Sequence, residues 1–347
     1  MQILAETSQT HLSERDATGP LSALKKALSI GSTPAQVIHQ EGSLSLLRYE
    51  QSESLSDAVV GKPVLLIPSL INRHYILDLL PGKSLVEYLV SKGHSVYLIR
   101  WETPGDEERW LTAERLIGGR IHRAVSAVMR DAGSDQIHLL GQCIGGTLAT
   151  AYAIRYPERI KRLALITAPV DFAKAGTIGV WAKAPALDLD ALMDAYGNMP
   201  WPLMQAAFHL LRPGATIGKY LRASRRMTDR AFLRSFAALE IWANDNVSFP
   251  GSCYRTLIQT FYRENGLTSG ALRIDGQVIR LQDLCVPVMS LSSSADHIVP
   301  VETTLQPKHL ETGSELCLIQ SDGGHIGCLL GKKAQSELWP RISQWLN

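Results

Sequence analysis

Residues 136–155 read QIHLLGQCIGGTLATAYAIR, and the reading of this stretch decides the fold. It opens on a short run with Ile137, Leu139 and Leu140, followed at once by Gly141-Gln142-Cys143-Ile144-Gly145-Gly146. The remainder, TLATAYAIR, is helix-like and free of Gly and Pro. Strand, tight glycine turn and helix in that order are the context of a nucleophile elbow. Glycines are needed there because neighbouring backbone passes too close for a Cβ. The strained turn holds the central side chain out at the sheet edge, and a helix N-terminus behind a cysteine favours its thiolate.

Working outward, the same type of apolar run recurs at Leu44–Tyr49, Val64–Pro68 and Ser95–Ile99 before the elbow. It recurs at Leu163–Ala168, Val286–Ser292 and Glu315–Gln320 after it. Brief, nearly continuous apolar runs suit strands buried on both faces of a parallel sheet. Helical spacing lies between them at Leu85–Lys92, Glu107–Arg130, Thr147–Arg155 and Lys332–Leu346, with a further short helix around Pro20–Ile30. Parallel neighbours need crossover helices, so the alternation predicts an α/β chain with a mostly parallel, doubly wound sheet.

One interval breaks the rhythm. Residues 173–284 hold 12 of the chain's 23 aromatics, and their spacing is mostly helical, at Trp201–Leu211, Asp229–Asn244 and Cys253–Arg263. The expected organisation is a polar N-terminal extension over 1–40, a core over 41–172 and 285–347, and an inserted helical cap over 173–284.

The order of chemistry along the chain gives the elbow its meaning. Asp296 stands in SSSADHIVP after the strand VMSLS, and His325 in SDGGHIG after ELCLIQ. Nucleophile, then acid, then histidine, each where a strand end meets a loop, is the arrangement of an α/β-hydrolase fold. Cys143, Asp296 and His325 are therefore the candidate catalytic residues. His297, beside the acid, is a candidate supporting residue. The backbone N–H of Ile144 and one from Leu70 or Ile71 would form an oxyanion hole. His74 lies on that second loop, and its ring reads as structural. Arg222, Arg225, Arg226, Arg230 and Arg234 cluster in the cap, where they would either meet phosphates of a nucleotide-bearing substrate or form a solvated helix face.

Composition bounds the remaining choices. Apolar residues make up 45% and charged residues 20%, with a net charge of +2 and no long like-sign runs. Disorder and a coiled coil are excluded for the whole chain, and nothing favours nucleic acid or an anionic membrane as a partner. The five cysteines are scattered without a C-x-x-C pair, which fits a reducing compartment and offers no metal site. With no apolar run near bilayer length and no leader pattern, a cytoplasmic protein without a transmembrane segment is expected.

With these residues in view, the chain resembles the polyhydroxyalkanoate synthases, in particular their short, two-component class. The likeness runs beyond about residue 35 and includes residues 71–101, GQCIGGTLA at 141–149, TAPVDFAKAG at 167–176, ALMDAYGNMP at 191–200, ADHIVP at 295–300 and GGHIGCLLGKKAQ at 323–335. The resemblance implies that Cys143 accepts the acyl group, that His325 activates it, and that Asp296 and His297 match the family's aspartate and the histidine after it. It further implies (R)-3-hydroxyacyl-CoA substrates, a polyester product and no cofactor beyond the CoA thioester itself. A second, non-catalytic subunit or a homodimer, and association with polyester granules, belong to the same expectation. Arg100-Trp101-Glu102 departs from the acidic residue, Trp and Gly of the family, and the N-terminal stretch looks unlike it. Two other readings fit the residues alone: a thioesterase or esterase with water as acceptor, and a catalytically silent subunit.

Overall fold

The computed structural model describes residues 19–50, 61–211, 214–311 and 315–347. The first eighteen residues of the expected polar extension lie outside them. One sheet of eight strands organises the rest: β1 (Ala35–Glu41), β2 (Leu44–Tyr49), β3 (Val64–Ile67), β4 (Val96–Trp101), β5 (Ile137–Gln142), β6 (Ile160–Ile166), β7 (Val288–Ser293) and β8 (Leu316–Ser321). Their order across the sheet is β1-β2-β4-β3-β5-β6-β7-β8, and β2 alone runs against its neighbours.

Helices α1 (Pro20–Leu28), α2 (Leu85–Ser91), α3 (His122–Asp131) and α4 (Ile144–Arg155) precede β6. Between β6 and β7 run α5 (Gly176–Ala182), α6 (Leu189–Tyr196), α7 (Trp201–Leu210), α8 (Ala215–Ser224), α9 (Arg230–Asn244), α10 (Gly251–Thr256) and α11 (Gly266–Ser269). Helix α10 continues as a π-helical turn over Leu257–Arg263. After β8 come α12 (Gly327–Leu330) and α13 (Trp339–Trp345).

The apolar runs are continuous because both sheet faces are covered. In β3, Leu65 and Ile67 enter one buried cluster, with α3 and α4, while Val64 and Leu66 enter another, with α2 and α13. Strand β1 is missing from the sequence pattern for the opposite reason. Its residues AQVIHQE form an edge with β2 as the main-sheet neighbour and none is fully buried, so no apolar alternation is required of them.

The helical stretch over 107–130 departs from its expected start. A short 3₁₀ turn, Asp106–Trp110, comes first, and the long helix forms after a break. The buried Glu108 carboxylate turns inward instead of continuing a helix face. It accepts the N–H of Ser43 at 3.1 Å and pairs with Arg120. Between β6 and β7 the pattern predicts α7, α9 and α10, whereas α5, α6, α8 and α11 are additional. Helix α6 is started by Asp188, whose side chain accepts from the N–H groups of Asp190 and Ala191, and α9 by Asp229, which accepts from Phe232.

Candidate active site

Cys143 joins β5 to α4 with φ 53° and ψ −131°, a backbone state that side-chain-bearing residues rarely adopt. Such strain costs of order 1–3 kcal/mol and persists only where the surroundings impose it. Here they do. A Cβ on Gly145 would overlap the carbonyl oxygens of Ile67 and Pro68, and one on Gly146 would overlap Ala168. The bend is pinned by the Cys143 N–H donating to Ile166 O at 3.0 Å and the Gly146 N–H donating to Cys143 O at 2.8 Å.

Asp296 and His325 sit on the loops after β7 and β8, at the same sheet edge as the elbow. The His325 Nδ1 lies 2.6 Å from Asp296 Oδ2, and the other carboxylate oxygen accepts from the N–H groups of Ile298 and Val299, each at 2.9 Å. The Asp296 side chain is fully enclosed. Burial by itself opposes charge on His325. The Cys143 sulfur and the Asp296 carboxylate outweigh that burial and raise the imidazole to about 10. The structure thus joins His325 to Asp296 directly and sets the Cys143 sulfur near enough for its charge to act on the ring.

The loop after β3 supplies a second set of donors, and its hydrogen bonds separate Leu70 from Ile71. Ser69 N–H donates to Gln142 Oε1 at 3.3 Å, and Ile71 N–H donates to Ser69 Oγ at 3.3 Å. Among the described residues no acceptor takes the N–H of Leu70 or of Ile144. Ile71 is spent; Leu70 and Ile144 are free. The outer side of the loop is held by the last turn of α9 and the segment after it. Val247 N–H donates to Ile71 O at 3.2 Å, Trp242 Nε1 to Arg73 O at 2.8 Å, and Asn72 bonds Asn246. Gln142, Ser69 and this segment escaped the sequence reading, although Gln142 stands inside the motif itself.

Cys143 opens into a cavity of about 110 Å³ with a mostly apolar wall that includes Ile71, Ile144, Trp181, Phe208, Leu257 and Ile298. Other expected residues stand away from it. His297 is exposed and is not part of the cavity wall. The His74 ring is held neutral, chiefly by burial and then by nearby Arg100 and Arg73, which push it down to about 3. Of the arginine cluster, Arg226 pairs with Asp229 at 2.5 Å and Arg234 donates to Leu28 O at 2.8 Å, while Arg225 and Arg230 are exposed. The Arg222 side chain lies outside the described residues.

Comparison with known proteins places the chain as a whole. The alpha/beta hydrolase fold profile matches residues 62–332, and the profile of the poly-beta-hydroxybutyrate polymerase (PhaC) N-terminus matches residues 7–89. The likeness therefore reaches well before residue 35, and the N-terminal stretch is not foreign to the family. The poly(3-hydroxyalkanoate) polymerase subunit PhaC of Synechocystis sp. is 33% identical over 92% of this chain and 86% of its own length. Its counterpart in Allochromatium vinosum is 32% identical over 93% and 90%, and that of Haloferax mediterranei 32% identical over 92% and 64%. Among solved structures, an alpha/beta hydrolase fold protein from Nakamurella multipartita aligns with TM-score 0.51 at 19% identity over 90% of this chain and 99% of its own. Naproxen esterase from Bacillus subtilis aligns with TM-score 0.52 at 13% identity over 95% and 99%. On these matches the chain belongs to the poly(3-hydroxyalkanoate) polymerase subunit PhaC family, built on the alpha/beta hydrolase fold.

Proposed function

We propose that this chain is an acyltransferase that loads a 3-hydroxyacyl group from its CoA thioester onto Cys143 and extends it into a polyester. The observation that carries the reading is the sulfur on a strained bend, near an imidazole that a buried carboxylate orients, with unspent backbone N–H groups at Ile144 and Leu70. Cys143 thiolate attacks the thioester carbonyl, the bond from that carbon to the CoA sulfur breaks, and the departing thiolate takes the imidazolium proton of His325. Developing negative charge on the carbonyl oxygen is met by the N–H groups of Leu70 and Ile144. Exchange of one thioester for another keeps the acyl group activated, which a serine ester would not.

In the second half-reaction the hydroxyl of another hydroxyacyl group attacks the acyl carbon. Its proton passes to His325, the carbon–Sγ bond breaks, and the thiolate is regenerated. His325 serves this step because both Asp296 oxygens are already engaged, one by the imidazole and one by two backbone N–H groups. The helices between β6 and β7 act as the cap, and their apolar side chains disfavour water as a competing acceptor. The relatives are named as subunits, and a second, non-catalytic subunit and a polyester surface are the partners that follow from this reading. No helix among the described residues is long and apolar enough to cross a membrane.

Intact-protein mass spectrometry after mixing with 3-hydroxybutyryl-CoA tests the reading. One hydroxybutyryl unit on Cys143, followed by adducts that grow in whole units, is the expected spectrum. Free hydroxy acid without a growing adduct would instead assign a thioesterase.

The clamp on the oxyanion loop carries its own prediction. Gln142→Leu removes the acceptor for Ser69 N–H and lets Leu70 drift, so acylation by the thioester is expected to slow roughly 10- to 100-fold. Alkylation of Cys143 by iodoacetamide needs a thiolate but no oxyanion hole, and its rate should stay at the wild-type value. Equal losses in both reactions would mean that Gln142 supports the elbow in general and not the loop.

A further inference from the structure

The cavity beside Cys143 is poor in hydrogen-bonding groups, which poses a question for the substrate class proposed above. A hydroxyacyl group carries a hydroxyl that leaves water when it enters, and an apolar wall returns nothing to it. Two phenols interrupt that wall, Tyr254 of α10 and Tyr262 of the π-helical turn that continues it. Single π-helical turns are frequent at functional sites, because the extra residue re-aims side chains that a regular helix would turn away.

Tyr262 is the better placed of the two. Its ring meets Phe172 edge-on, with centroids 4.8 Å apart and planes at 69°, and Phe172 in turn packs on Phe261 at 5.6 Å. Phe172 is fully buried, so the tyrosine ring is fixed from behind. Polar neighbours on the same segment are occupied elsewhere. Arg263 donates to the carbonyls of Ala182 and Leu187, both at 2.9 Å, and Asn265 bonds Phe172 N–H and Asp171. No acceptor or donor among the described residues engages the Tyr262 hydroxyl. Tyr262 and Cys143 line the same cavity, and burial first, then the charge of the Cys143 sulfur, hold the phenol protonated well above its usual value.

We infer that the Tyr262 hydroxyl binds the 3-hydroxyl of the acyl group on Cys143, and that this contact makes the enzyme prefer 3-hydroxyacyl thioesters to plain acyl thioesters. The inference rests on the acyl-transfer reading of the site. A cavity that hydrogen-bonds a substrate hydroxyl rejects the analogue lacking it, because the buried polar group of the protein is then left unpaired.

The test compares 3-hydroxybutyryl-CoA with butyryl-CoA in single-turnover release of CoA by the full chain. Wild-type protein is expected to acylate at least about tenfold faster with the hydroxyacyl thioester, the size of one hydrogen bond. In Tyr262→Phe that ratio should fall about tenfold, as the hydroxyacyl thioester loses its partner and butyryl-CoA no longer leaves one unpaired. Iodoacetamide alkylation of Cys143 at the wild-type rate would show that the variant keeps its elbow. Wild-type protein that handles both thioesters equally overturns the inference without any variant. A ratio unchanged by Tyr262→Phe, in a wild type that does discriminate, overturns it too while leaving acyl transfer intact. If the wild type takes neither thioester, the acyl-transfer reading fails first and this inference with it.

Discussion

Cys143→Ala is expected to abolish release of CoA from 3-hydroxybutyryl-CoA, a loss of roughly 10⁴- to 10⁶-fold for removal of a covalent nucleophile. The side chain is only half-buried, and the surroundings that impose φ 53° on the bend do not depend on sulfur. Thermal stability should therefore move little, and the variant should keep the wild-type circular dichroism spectrum. Cys143→Ser sharpens the point. The same bend then carries a hydroxyl whose ester product sits lower in energy than a thioester. A single acyl adduct that neither grows nor turns over is the expected mass spectrum. A Cys143→Ala protein that still releases CoA at a tenth of the wild-type rate would remove the sulfur from the mechanism.

Asp296→Asn is the second large loss, expected at roughly 10²- to 10⁴-fold in the rate of acylation. The carboxylate accepts three hydrogen bonds, from Ile298 N–H, Val299 N–H and His325 Nδ1–H. An amide cannot accept all three. If its oxygen stays on the backbone pair, its NH₂ faces Nδ1, forces the other tautomer and leaves Nε2 protonated against the thiol. If it flips, two backbone donors face an NH₂ group. Charge changes as well. Asp296 is one of the groups that raise His325 to about 10, so its neutralisation moves the imidazole to lower pH. An imidazole raised in the folded state adds stability that is complete below the unfolded value near 6.5 and lost as pH rises through the folded one. In Asp296→Asn the upper end of that window should retreat, read by nuclear magnetic resonance titration of His325 and by the pH dependence of thermal unfolding. An unchanged His325 titration would show that the carboxylate does not govern the ring.

Much of the fold was legible because the signals involved are local. VLLI at β3 is apolar throughout and IHLLGQ at β5 holds Ile137, Leu139 and Leu140 in a strand buried throughout, since both faces of the sheet are covered, and a window of a few residues reveals this. The elbow was legible for the same reason, as its glycines answer to backbone that any such turn must approach. Strand β1 and helices α5, α6 and α8 were not, because an edge strand and short, half-exposed helices need no continuous apolar pattern. The break after Asp106–Trp110 escaped for another reason. A carboxylate that turns inward to Ser43 and Arg120 looks, in sequence, like any surface glutamate.

The sequence by itself determined the α/β class, the strand–turn–helix around Cys143 and the order Cys143, Asp296, His325 along the chain. These follow from periodicity, turn chemistry and connection rules that act within one element or between successive ones. Only the tertiary structure decided which backbone N–H groups remain unspent, that Gln142 holds the loop of Ser69, and that Tyr262 shares a cavity with the sulfur. Those are matters of supply and demand for hydrogen bonds between residues 73 and 119 positions apart, and they have no value until the sheet order brings the partners together.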